Sequence, residues 1–137
     1  IAWEPASFGS QRSLVPDIIW ERAGHTVIFD AKYKRHWSEL QSSRWADLDE
    51  MTREHHRDYL LQILAYANLP STERVTLVLA YPCYPETWRH LHAQRRTTYT
   101  ARIPAARTLR LVLTGVPFVP ELLGEAAAEM QSAIERI

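Results

Sequence analysis

Near the start of the chain, two short apolar runs lie on either side of a polar turn. The runs cover residues 18–20 and 26–29, and the segment 22–25 between them reads Arg-Ala-Gly-His. Two apolar runs joined by a Gly-containing turn predict a β-hairpin. In the simplest register of this hairpin, Glu21 lies opposite Thr26.

The same register brings two carboxylates together. Ile19 then faces Ile28, and Asp17 lies directly opposite Asp30. Opposed side chains share one face of a sheet with their Cβ atoms about 4.5–5.5 Å apart, and Lys32 belongs to the same face. Adjacent carboxylates repel, and a hard divalent cation such as Mg²⁺ or Mn²⁺ relieves that repulsion. The opposite face of the hairpin is predicted to enter the core with Ile18, Trp20, Val27, Phe29 and Ala31.

The rest of the chain alternates predicted helices and strands. Residues 47–68 lack Gly and Pro, begin with acidic residues and stop before Pro70, which predicts the longest helix. Residues 75–81 are almost wholly apolar, which is typical of a strand in a parallel sheet, and Pro82 and Pro85 are expected to end it. A strand, a helix and a parallel strand make a right-handed crossover. The later segments predict a helix over 86–94, strands over 97–103 and 108–114, and an Ala-rich helix over 121–137. The predicted fold class is therefore α/β, a mixed central sheet flanked by helices.

Composition narrows the class of protein. A length of 137 residues indicates a single domain over 1–137, and 46% hydrophobic residues support an ordinary core. The net charge is zero, so affinity for phosphate must come from local basic clusters. The single cysteine excludes an intrachain disulfide, and no apolar run approaches a membrane span, so we expect a cytoplasmic protein without a membrane partner. The chain begins with Ile1, from which we infer a piece of a longer protein.

The order of these residues resembles a known nuclease signature. Pro16-Asp17 followed by Asp30-Ala31-Lys32 resembles the PD-(D/E)xK motif, and Gln62 with Tyr66 resembles the QxxxY helix motif of a subset of that superfamily. The combination is most similar to the nuclease domain of the cleavage subunit in McrBC-type modification-dependent restriction systems. The resemblance extends over residues 15–82. It implies a restriction-endonuclease-like fold, in which a mixed β-sheet is flanked by helices.

The resemblance also implies a chemistry, the Mg²⁺-dependent hydrolysis of DNA phosphodiester bonds, with Mn²⁺ as a substitute. Asp17 and Asp30 would be the side-chain ligands of the metal, and the Ala31 carbonyl would add a third oxygen. Lys32 would stabilise developing charge, and Gln62 would contact the nucleophilic water or the phosphate. The structural alternative is that Asp17 caps a turn and that Lys32 simply pairs with Asp30.

Residues just past this site predict contact with nucleic acid. Lys34 and Arg35, with the neighbouring residues Tyr33, His36 and Trp37, form a basic-aromatic cluster that could hold a backbone and stack a base. Tyr66 is expected to lie nearby and to assist this binding. A solvated run of charge is the alternative for the cluster. Further candidates with weaker support are a second basic patch (Arg89, Arg95 and Arg96), surface histidines (His55, His56, His90 and His92) and a buried apolar cysteine (Cys83).

Three functions are compatible with this pattern. The first is a Mg²⁺-dependent endonuclease of DNA, the cleavage module of a restriction or defence system, working with a partner domain or subunit such as a nucleotide-driven motor. The second is a catalytically inactive PD-(D/E)xK-like module for nucleic-acid binding or assembly, favoured by the lack of room for an acidic helix before the hairpin. Glu4 could supply that acidic residue. The third applies the same site to structured RNA or to a branched DNA junction.

Overall fold

The computed structural model describes residues 15–33 and 50–135, without the side chain of Thr52. Within these residues the chain forms five strands and three helices. The strands are β1 (Ile18–Arg22), β2 (His25–Ala31), β3 (Arg74–Cys83), β4 (Thr98–Ile103) and β5 (Thr108–Pro117). The helices are α1 (Glu50–Tyr66), α2 (Pro85–Ala93) and α3 (Pro120–Glu135). None of these helices is long and apolar enough to cross a membrane.

The strands form one mixed sheet in the order β1-β2-β3-β5-β4. The pairs β2–β3 and β3–β5 are parallel, and the outer pairs β1–β2 and β4–β5 are antiparallel. The predicted α/β class, with a mixed central sheet flanked by helices, is therefore confirmed. The parallel pairing of β2 and β3 around α1 is also as predicted, because α1 supplies the long crossover that parallel neighbours require.

The hairpin between β1 and β2 has the predicted register. Glu21 pairs with Thr26, and Ile19 pairs with Ile28. The two turn residues, Ala23 and Gly24, have φ angles of 48° and 75°. Positive φ at both central positions of a two-residue loop matches the twist of the flanking strands, and glycine adopts it without a steric cost. This turn fixes the register and thereby the positions of all side chains that follow.

Both faces of the sheet are covered. On one face, here called the Asp30 face, Ile28, Leu77 and Leu79 of the strands pack with Ile63 of α1 and Trp88 of α2. On the other, here called the Val27 face, Val27, Val78 and Val112 pack with Ala133 of α3. Full burial of each such aliphatic side chain contributes about 1.5–3 kcal/mol, so the central strands anchor the fold.

The predicted core face of the hairpin is only partly correct. Val27 is fully buried and Phe29 is half-buried, but Ile18 and Trp20 are 58% and 46% exposed, and Ala31 is exposed as well. The physical reason is position, because β1 is an edge strand and the apolar residues of α3 pack on the central strands.

The third strand is longer than the predicted 75–81, since β3 covers Arg74–Cys83 and includes Pro82, although it ends before Pro85 as expected. The pairing with β2 stops at Ala80, whose carbonyl accepts a hydrogen bond from the Lys32 N–H at 2.8 Å. Pro82 lies two residues further along and faces the same side, beyond the end of β2. A proline can occupy a strand where no ladder hydrogen bond is required of it.

Candidate active site

The site lies where β2 ends, and the hairpin register builds it. The ladder closes with Ile18 opposite Phe29, so one further step places Asp17 beside Asp30. The Asp17 carboxylate reaches across to β2, where its Oδ2 accepts a hydrogen bond from the Ala31 N–H at 2.7 Å. The two carboxylates of the predicted metal site are thus held at one end of one hairpin.

Asp30 and Lys32 form a buried ion pair. The Lys32 ammonium nitrogen lies 2.6 Å from Asp30 Oδ2, and the two side chains are only 9% and 7% exposed. This carboxylate oxygen receives no hydrogen bond of normal angular geometry from any described residue, so its contact with Lys32 is mainly Coulombic. The pairing that the sequence offered as the structural alternative is therefore present.

Helix α1 supplies the remaining contacts of Lys32. The ammonium donates a hydrogen bond to Gln62 Oε1 at 2.8 Å and lies 4.5 Å from the centroid of the Tyr59 ring. Gln62 Nε2 donates to the Tyr66 hydroxyl at 3.1 Å, and that hydroxyl donates to the Val15 carbonyl at 3.2 Å. A continuous chain of polar contacts thus runs from the lysine to the backbone just before Pro16-Asp17.

Burial of Tyr66 does not fit the prediction that it contacts nucleic acid. Its side chain is 2% exposed and belongs to the core on the Asp30 face. Burial raises the pKa of Tyr66, and the nearby Asp30 carboxylate adds to this effect. The phenol therefore stays protonated at neutral pH and can donate to Val15. Its place is behind Gln62, which it orients.

A second layer lies beneath the lysine and was missed by the sequence interpretation. The Tyr81 hydroxyl is 2.6 Å from His56 Nδ1, and the Tyr81 and Tyr59 rings are 6.3 Å apart. His56 is 6% exposed, so its prediction as a surface histidine is wrong. Burial raises the pKa of Tyr81, with Tyr59 and Asp30 as further causes. The available signal was the alternation Leu77, Leu79, Tyr81, which puts Tyr81 on the Asp30 face.

The donor set fits a hard divalent cation. Asp17 and Asp30 contribute carboxylate oxygens, and Mg²⁺ and Mn²⁺ prefer oxygen ligands of this kind. Asp30 Oδ2 is buried and lies 2.6 Å from the Lys32 ammonium, so a bound metal ion would share this oxygen with the lysine. In the part of the chain that the structure describes, no three His, Cys, Asp or Glu residues converge. The Ala31 carbonyl, between the two key residues Asp30 and Lys32, stays the predicted third ligand.

Other predicted residues are separate from this centre. Lys34, Arg35, His36, Trp37 and Glu4 lie outside the described residues. Within the described part, the members of the second basic patch are exposed: Arg89, Arg95 and Arg96.

His92 and Cys83, two further residues singled out in the sequence, lie away from the Asp17–Asp30 centre. His92 stacks on Trp88, with ring centroids 4.6 Å apart, and contacts Glu129 Oε1 at 2.6 Å. Cys83 is buried as predicted, and burial raises the pKa of its thiol to about 11. Neither residue contributes to the Asp17–Asp30 centre.

No protein-family model matches the sequence, and no curated protein or solved structure matches it either. The resemblance to PD-(D/E)xK nucleases therefore stays a prediction. The structure brings Asp17, Asp30, Lys32 and Gln62 together at one site, and the geometry of these side chains is the basis of the function proposed next.

Proposed function

We propose that this chain is a metal-dependent endonuclease domain of the PD-(D/E)xK type, which hydrolyses phosphodiester bonds of DNA as the cleavage module of a restriction or defence system. The observation that supports it is the convergence of two carboxylates, Asp17 and Asp30, with a lysine held by a glutamine on the following helix. Opposed carboxylates at the end of a hairpin cost stability, so their placement suggests a use.

The chemistry of each side chain indicates its role in the proposed reaction. Asp17 and Asp30, with the Ala31 carbonyl, would hold Mg²⁺ or Mn²⁺. When bound, such an ion acts as a Lewis acid on the phosphate and lowers the pKa of its water. The chain's own part in the reaction is then to orient the DNA phosphate and to balance the negative charge that develops on it.

Lys32 is suited to balance the negative charge that develops on the phosphate. Its ammonium is a compact point charge, and its position is fixed by Gln62 on one side and by the face of Tyr59 on another. A cation that is already oriented stabilises a transition state without reorganisation at the moment of reaction. Gln62 is itself held by Tyr66, so its Oε1 stays directed at the ammonium. Tyr66 acts through Gln62 and is a positioning residue.

The decisive experiment measures DNA cleavage with Mg²⁺, Mn²⁺ or EDTA, using the full-length protein together with its partner. Asp30→Asn and Lys32→Ala are each expected to lower the rate at least about 100-fold, as loss of one charge-stabilising group does. Glu21→Gln is the matched control. Glu21 lies on the same face of the hairpin, but four residues of strand separate it from Asp17, roughly 13 Å. Wild-type rates in either site variant would reject the assignment.

Metal binding is testable without a substrate. A cation that binds only the folded hairpin stabilises it by RT ln(1 + [L]/Kd), about 1.4 kcal/mol at ten times Kd, or a few degrees of Tm. Mn²⁺ and Mg²⁺ should therefore raise the Tm of the wild type and of Glu21→Gln but not that of Asp17→Asn. Equal shifts in all three proteins at matched ionic strength would argue against the site.

One observation favours the inactive module as a second candidate. Asp17 is bonded to the Ala31 N–H and Asp30 is paired with Lys32, so each carboxylate already has a partner within the protein. A scaffold that uses these contacts only for stability would show neither cleavage nor a metal-dependent rise in Tm. The two experiments above therefore separate the candidates.

A further inference from the structure

Four arginines surround a cavity at the end of the sheet opposite to Asp30. The cavity has a volume of about 300 Å³, and its lining includes Arg74, Arg102, Arg107 and Arg110. It opens beside the first residues of the parallel strands, whereas Asp30 and Lys32 lie at their far ends. Five residues of β2 separate His25 from Asp30, roughly 17 Å at 3.3 Å per residue. The cavity is thus distinct from the candidate active site.

The sheet register places three of these arginines on one face. Arg102 of β4 lies directly opposite Arg110 of β5, and Arg110 pairs with Thr76 of β3. Arg74 precedes Thr76 by two residues and therefore belongs to the same face. Like charges that are directly opposed across strands destabilise a sheet unless a counter-charge lies near them. The arrangement therefore favours an anion in the cavity.

Within the described part of the chain, the side chains of two of the arginines have structural partners and those of the other two do not. Arg107 donates hydrogen bonds to the carbonyls of Ala67 and Pro70 just after α1, and Arg110 Nη1 donates to the Ala133 carbonyl in α3 at 3.1 Å. The Arg74 carbonyl accepts a hydrogen bond from the Thr72 hydroxyl, but the guanidinium groups of Arg74 and Arg102 have no hydrogen bond or ion pair with another described residue.

Among the described residues, negative charge near these four guanidinium groups is scarce. No described carboxylate lies within 4 Å of any of them, which follows from the ion pairs that the described residues form. Glu135 is the acidic residue in the lining, and its Oε1 accepts a hydrogen bond from Gln131 instead. The described lining therefore carries more positive charge than the carboxylate of Glu135 can balance.

The positive charge of the arginines affects the pKa of a neighbouring histidine, His25. His25 is buried and its Nε2 lies 2.8 Å from the hydroxyl of Thr76, which lines the cavity. Burial lowers the pKa of His25, and the positive charges of Arg74 and Arg110 lower it further. An anion in the cavity would oppose the effect of the arginines. His25 is therefore a built-in reporter of occupancy.

We propose that this cavity binds a phosphate or pyrophosphate group. Guanidinium groups match the oxygens of phosphate in bidentate pairs, and those of Arg74 and Arg102 can supply such pairs. Thr108 adds a hydroxyl donor to the wall, whereas the Thr76 hydroxyl is in contact with His25. A volume of about 300 Å³ is at the lower end for ligand pockets and suits a phosphate head rather than a whole dinucleotide. The group can belong to a small phosphorylated molecule or to the 5′ end of a DNA strand.

The test is a titration with inorganic pyrophosphate in EDTA, followed by calorimetry and by the ring signals of His25 in NMR spectra. EDTA removes any metal that could recruit pyrophosphate to the carboxylates. We expect saturable binding to one site with a rise in the pKa of His25. Arg74→Gln and Arg102→Gln should each weaken binding about tenfold or more, as loss of a charge-assisted contact does. Arg57→Gln, which removes the same charge from an exposed position of α1, should bind like the wild type.

The folding of the variants is checked by their melting curves. Arg102→Gln removes one of two opposed charges, so its Tm without ligand should equal or exceed that of the wild type. Competition by a 5′-phosphorylated duplex, but not by the same duplex without the phosphate, identifies a DNA end as the source. Competition by neither supports a small phosphorylated molecule. Absence of saturable pyrophosphate binding, or equal binding by folded Arg74→Gln, Arg102→Gln and Arg57→Gln, would overturn the proposal.

Discussion

Replacement of Lys32 by methionine tests the buried ion pair at the centre of the site. Methionine keeps an unbranched apolar stem of similar length but lacks the charge. The substitution removes the 2.6 Å contact with Asp30, the hydrogen bond to Gln62 and the contact with the Tyr59 ring. Asp30, 7% exposed, is then a buried carboxylate without its cation.

The expected loss of stability is large. Removal of one member of a buried ion pair costs about 3–5 kcal/mol, because the remaining charge is uncompensated. The unsatisfied Gln62 Oε1 is part of that loss. For a domain of this size each kcal/mol corresponds to about 4 °C, so the Tm should fall by roughly 12–20 °C. In the double variant Asp30→Asn/Lys32→Met no buried charge is left, and about 1–3 kcal/mol should be recovered relative to Lys32→Met.

Urea unfolding in EDTA at neutral pH measures these differences, and circular dichroism and tryptophan fluorescence must give coincident transitions. Arg57→Met is the control for loss of a positive charge at an exposed position, and it should lie within about 0.5 kcal/mol of the wild type. If Lys32→Met costs no more than Arg57→Met, Lys32 is solvated rather than buried. The same outcome would remove the basis for a preoriented ammonium in the proposed mechanism.

Three further outcomes are expected. Tyr66→Phe removes the acceptor of Gln62 Nε2 and the donor to the Val15 carbonyl. Urea unfolding should therefore show a free energy of unfolding lower by about 1–3 kcal/mol. An unchanged midpoint would mean that water replaces the hydroxyl. The pKa of His25 is lowered on folding, so the unfolded chain binds a proton at this imidazole more tightly than the folded chain does. The free energy of unfolding should therefore fall as the pH drops below about 6.5, and His25→Asn should weaken this pH dependence. An identical pH profile in the wild type and in His25→Asn would contradict the prediction. The Cys83 thiol, whose pKa burial raises to about 11, should react with a disulfide reagent at pH 8 only after denaturation, and rapid reaction in the native protein would show that it is accessible.

The sequence by itself determined the hairpin, its register and the order of elements. These features are local, because a two-residue turn at Ala23-Gly24 fixes which residues pair, and alternation then fixes which residues share a face. The position of Asp17 next to the end of β2, one step beyond the Ile18–Phe29 pair, follows from that turn. The long apolar run in β3 and the Gln62/Tyr66 stripe of α1 were readable for the same reason, since period and length are properties of single segments.

The tertiary structure decided burial and the contacts between distant segments. Tyr66 and His56 proved to be buried, and Trp20 to be half-exposed, because exposure depends on which element covers a residue. The Lys32–Gln62 contact needed the packing of α1 on the sheet.

The arginine-lined cavity required knowledge of strand order. Arg74 and Arg102 are 28 positions apart and meet at one cavity because β5 lies between β3 and β4. Strand order arises from long-range pairing, whose free energy depends on the whole assembled core rather than on any one segment. The sequence thus determined that Asp17 and Asp30 lie at one end of the hairpin, whereas only the assembled sheet brings Arg74 and Arg102 to one cavity.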